Sequence, residues 1–185
     1  MLNAISRFFR DLFGSSKATA GSAAPGAEQP STGEADTTPE TADQIVPFDE
    51  TLLERCRDMW QAGDWEGMKG LDRETVQHHP DRAKLALLAA AAHQQTGNMD
   101  DARTWLRLAR DWGCSKQLIS QIMISGVFNT LARASAASGQ MDRARLHFED
   151  AMRCGAPKGN VAQLAQTRLA TQLPALGLSA PDADD

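Results

Sequence analysis

The side chains in this 185-residue sequence most suited to metal binding or nucleophilic chemistry are its four histidines and three cysteines. His78 and His79 are adjacent and stand just before Pro80, which puts them at a predicted helix end. His147 precedes Cys154 by seven residues, so the two share one face of a predicted helix. His93 stands alone in an alanine-rich stretch. Cys56, Cys114 and Cys154 are odd in number, far apart and without C-x-x-C spacing, a pattern that fits reduced thiols in a cytosol-like compartment. No set offers the three or four close ligands of a metal centre. The sequence carries no Gly-rich phosphate loop and no nucleophile motif, and tyrosine is absent. The expectation is a chain with no catalytic residue, no metal and no cofactor.

Recognition is the other chemistry open to it. On a helical wheel Met1, Leu2, Ile5, Phe8, Phe9, Leu12 and Phe13 fall within one arc, opposite Asn3, Ser6, Arg7, Arg10 and Asp11. Residues 1–14 therefore predict an amphipathic helix of about 20 Å. It is long enough to lie on a membrane surface, in a partner's groove or back on its own domain, and too short to span a bilayer.

Charge and composition divide the rest. Residues 15–47 hold one Lys against five acids, with Ile45 and Val46 as the sole large aliphatics, and predict a disordered linker. Residues 174–185 predict an acidic disordered tail. Residues 48–173 carry sixteen bases and fifteen acids. That near-neutral balance excludes the basic surface a nucleic acid selects. The N-terminus lacks the unbroken apolar core of a secretory signal, and no stretch is apolar enough to span a membrane. The expected location is cytoplasmic, with peripheral contact at the inner face of a membrane, through residues 1–14, as one option.

The elements that would present these groups are helical throughout. Between Phe48 and Leu173 the apolar residues recur with helical spacing, and no run alternates with the period of a strand. Gly63-Asp64-Trp65, Gly97-Asn98-Met99-Asp100 and Gly139-Gln140-Met141-Asp142 each follow an apolar-striped segment. A glycine there ends one helix in the left-handed conformation, and the acid caps or begins the next. From Gly63 to Gly97 the offset is 34 residues, and from Gly97 to Gly139 it is 42. The surplus falls around Gln117–Ile124 and predicts a first helix extended by about two turns in the third unit, with Ser115 as its cap.

This pattern resembles the tetratricopeptide-repeat family over about residues 49–158, as three units followed by a closing helix. In the second unit Ala86, Ala89 and Ala90 stripe the first helix, Gly97 makes the turn, and Ala102, Leu106 and Ala109 follow the family's small, large, small spacing. The third repeats it with Phe128, Leu131, Ala132, Gly139, Ala144, Phe148 and Ala151, then Pro157. The first unit keeps Gly63, Trp65 and Pro80 but departs at Met68 and Asp72, and Gly67 and Gly70 weaken its second helix. Val161, Leu164, Ala165, Arg168, Leu169 and Leu173 read as an amphipathic helix covering the last apolar face.

The resemblance implies an all-α solenoid of three antiparallel helix pairs with a C-terminal capping helix and a concave binding face. In the family's register that groove is lined by Leu53, Arg57, Trp60 and Gln61, by Lys84, Leu87, Gln94 and Gln95, and by Asn129 and Arg133. Leu53, Arg57 and Thr130 stand where the family's chaperone-tail binders keep groups for a terminal carboxylate, so that activity is not implied. The expected function is a non-catalytic scaffold holding a partner's peptide or helix in the groove, with no nucleic acid. The alternatives are an accessory subunit of an assembly or envelope-biosynthesis complex, tethered to a membrane by Leu2, Ile5, Phe8, Phe9, Leu12 and Phe13, or an enzyme of an unrecognised helical class.

Overall fold

The computed structural model describes residues 48–155 and 160–178; the amphipathic segment 1–14 with its six apolar site residues, the linker 15–47 and most of the acidic tail lie outside the described residues. Among the described residues there are eight helices and no strand: α1 (Leu52–Ala62), α2 (Trp65–Lys69), α3 (Arg73–Gln77), α4 (Arg82–Gln95), α5 (Met99–Asp111), α6 (Lys116–Ala137), α7 (Met141–Gly155) and α8 (Val161–Ala175). None of them is long and apolar enough to cross a membrane.

Gly63, Gly97 and Gly139 all take left-handed backbone, with φ of 80°, 83° and 73°. A Cβ would strain that conformation, so glycine is what lets the chain reverse within two or three residues. Asp64 caps α2 by accepting from the Gly67 amide at 3.0 Å. Asp100 and Asp142 instead lie in the first turns of α5 and α7, where a carboxylate meets the positive end of the helix dipole.

The turns produce antiparallel pairs. Arg82, at the start of α4, lies over the ring of Trp112 just beyond α5, 5.7 Å from its centroid. In the next pair Phe128 stacks on His147, and the Ser125 hydroxyl donates to Ala151 O at 2.9 Å. Ala102, Ala109, Ala144 and Ala151 are all buried at the crossings, which lets the backbones approach closely. α6 has 22 residues against 14 for α4, and the Ser115 hydroxyl accepts from the Leu118 amide at its start.

The sequence pattern and the structure part company at three places. The second helix of the first unit is broken in two: Gly70 ends α2, and Asp72 sits in extended backbone to cap α3 through the Thr75 amide. Leu131, expected in the apolar stripe of the third unit, points outward, because the covered face of α6 runs through Ile122, Ser125, Gly126, Asn129, Ala132 and Ala136. The last helix continues two residues beyond Leu173 and ends at Ala175, held by the buried Leu173 side chain and by Gly177 in left-handed backbone.

α1 and α2 pack on α4, α4 on α5 and α6, α6 on α7, and α7 on α8, which then returns to α1. One apolar core threads all of these elements, and a smaller cluster of Ala136, Ala144 and Leu173 sits beside it. Replacing the fully buried Ala109 by Arg is expected to cost about 3 kcal/mol or more, since a charge enters a tight helix crossing. Thermal unfolding checks this, and an unchanged midpoint would contradict the packing.

Candidate functional site

The residues that meet around α8 form the most polar part of the interior. Arg168 is fully buried, with its guanidinium 4.8 Å from the Trp60 ring centroid and 5.1 Å from that of Trp65. Its Nη2 donates to Trp60 O, and its Nε donates to Gln61 O at 3.1 Å. Both carbonyls belong to the last turn of α1, at the negative end of the helix dipole, and the Trp60 oxygen also accepts from the Gly63 amide at 3.3 Å. Burial pulls the guanidinium down from its ordinary value of 12.5 to about 9, so it keeps its charge at neutral pH. Gly155 ends α7 against the edge of Trp60, where a Cβ would overlap the ring.

One turn further along α8, Gln172 enters a chain of amides. Asn129 on α6 and Gln172 exchange hydrogen bonds, Gln172 Nε2 to Asn129 Oδ1 at 3.0 Å and Asn129 Nδ2 to Gln172 Oε1 at 3.3 Å. Asn129 Nδ2 also donates to Gln95 Oε1 at 2.8 Å, and Gln95 Nε2 donates to Gly126 O at 3.0 Å. Arg133 joins from the edge, donating to Gln95 O at 3.2 Å. Within the low dielectric of the interior such a relay is stable because nearly every amide group has a partner.

The ten residues expected to line a groove therefore separate. Leu53, Trp60 and Leu87 are core, and Gln95 and Asn129 are buried beneath α8. Arg57, Gln61, Lys84, Gln94 and Arg133 are half-buried at the margins. Lys84 pairs with Asp81 at 2.8 Å, and Arg57 has its ionisation lowered by burial. Gln172 escaped the sequence reading, although it falls four residues after Arg168 and seven after Ala165, on the covered stripe of α8.

The histidines and cysteines stay apart. His79 is buried, with Nδ1 accepting from the Asp81 amide at 2.9 Å and Nε2 facing Asp49 O at 3.2 Å. His78 is exposed beside Gln77, and His93 lies 3.8 Å from the Asp101 carboxylate. Burial pushes the Cys56 and Cys114 thiols up to about 11 and raises Cys154 as well, so all three are protonated and weakly nucleophilic at neutral pH. Among the described residues no three His, Cys, Asp or Glu side chains gather as a metal site would require.

The outer face of α6 is different in kind. Ile124, Val127 and Leu131 are 48%, 54% and 44% exposed, and their spacing aligns them in one row. Ser120 and Ala134 extend the row at its ends, and from Gln117 to Ala132 the helix has no charged residue. Phe128 and Gln121 border it on the side toward α7, where Phe128 meets His147.

A double-mutant cycle with Asn129→Ala and Gln172→Ala is expected to give a coupling of about 1–3 kcal/mol in chemical denaturation, because each single change strands a buried amide. Additive effects would contradict the reciprocal pairing. Compared with known proteins, the chain matches no family model, no curated protein and no solved structure.

Proposed function

We propose that this chain is a non-catalytic scaffold of tetratricopeptide-like helical hairpins that docks a protein partner through a helix or an extended peptide. The pairs α4–α5 and α6–α7 support the likeness, since each has a left-handed glycine turn and buried alanines at the crossing. The inner positions are already satisfied, Asn129 by Gln172 and Gln95 by Asn129 and the Gly126 carbonyl. The docking surface is accordingly assigned to the outer row of α6.

The observation that carries this reading is the exposed, uncharged line of Ile124, Val127 and Leu131 on a 22-residue surface helix. Single exposed apolar residues are ordinary, but an aligned row free of charge is what an amphipathic partner helix packs against. Covering the exposed halves of the three side chains would contribute about 3 kcal/mol to binding.

The combined variant Val127→Glu, Leu131→Glu tests this. Both positions face solvent, so unfolding stability is expected to shift by less than about 1 kcal/mol. Co-purification from the native source is expected to lose its stoichiometric partner in the variant. Retention of the same partners at the same yield would contradict the assignment.

A further inference from the structure

The outer row of α6 has a candidate occupant within the same molecule. The row from Ser120 to Ala134 is about 21 Å long, and residues 1–14 would make a helix of the same length. Their apolar arc of Leu2, Ile5, Phe8, Phe9, Leu12 and Phe13 has the i, i+3, i+4, i+7 spacing of a helix that lies in an apolar groove. The row's own helix offers no cation between Gln117 and Ala132 to repel Arg7 or Arg10. Gln121 borders the row, and its Oε1 is buried without a hydrogen-bond partner.

Chain length permits the contact. Residues 15–47 separate the segment from the domain, a contour of up to about 110 Å. α1 and α6 both lie against α4, so the attachment point and the row are within about three helix diameters, or roughly 35 Å. An ideal random chain of thirty-three residues would have a root-mean-square span of about 30 Å. A tether matched to its span gives an effective concentration on the order of millimolar, well above that of a second copy at micromolar total protein.

We propose that residues 1–14 dock in cis on the exposed face of α6, covering Ile124, Val127 and Leu131 until a partner displaces them. This rests on that face being a docking surface, the reading given above. It adds the occupant and makes the chain's own N-terminus the competitor that sets partner affinity.

The test uses the full chain with p-benzoylphenylalanine in place of Phe8, irradiated at about 1 μM, alone and with vesicles of phosphatidylcholine and phosphatidylglycerol. The expected product is an intramolecular crosslink within 116–137, with or without vesicles. In the Val127→Glu, Leu131→Glu background its yield is expected to fall about tenfold while thermal unfolding is unchanged. Four results overturn the proposal: crosslinks scattered over the domain, crosslinks joining two chains, transfer of the label to lipid, or no crosslink. If the charged variant loses its native partner but Phe8 gives no crosslink to α6, the scaffold reading stands and this inference falls.

Discussion

A positive charge enclosed at the centre of a helical domain is the feature on which the arrangement turns. Among the described residues Arg168 has no carboxylate partner. What compensates its lost hydration is the carboxyl end of α1, where the Trp60 and Gln61 carbonyls point at the guanidinium, together with the faces of two indole rings. Each partner is useful only if α8 lies against the end of α1 and the α1–α2 turn is tight enough to bring Trp65 alongside Trp60. Gly63 makes that turn, and Gly155 leaves room for the Trp60 ring beside α7. The cation thus ties the last helix to the first, at a sequence separation of 108 residues.

That closure determines which helix faces stay exposed. With α8 seated, the inner face of α4 and α6 becomes a buried seam filled by the Gln95, Asn129 and Gln172 amides. Amides that satisfy one another offer little to a ligand, because binding would break as many hydrogen bonds as it forms. The aligned row of exposed apolar side chains, Ile124, Val127 and Leu131, is on the opposite side of α6. Repeat pairs ordinarily bind on the concave side; the proposal places docking on the outer side of α6 because α8 covers the inner faces of α4 and α6 here.

Much of this was legible in the residues themselves, and what escaped has a common cause. The glycine turns, the alanine crossings, the extra two turns of α6 and its Ser115 cap all follow from local conformational preference and period. The split of α2 from α3 was foreshadowed by Gly67, Gly70 and the acid at Asp72. Periodicity does not say which neighbour covers a helix face. α6 is apolar on both sides, so Leu131 and Ala132 looked equally fit for the core, and only the position of α4, α7 and α8 separates them. Trp60 and Asn129 were read as lining a groove, but the helix that covers them, through Arg168 and Gln172, is remote in sequence.

The central claim is that Arg168 locks the closing helix onto the first helix, and hydrogen–deuterium exchange on Arg168→Met reads it most directly. Methionine keeps an unbranched apolar stem as far as the Nε position and removes the charge and every N–H donor. The account expects amide protection to fall together in Leu52–Ala62 and Val161–Ala175, while α4 and α5 keep theirs. Loss confined to α8, or no loss in α1, would contradict the account.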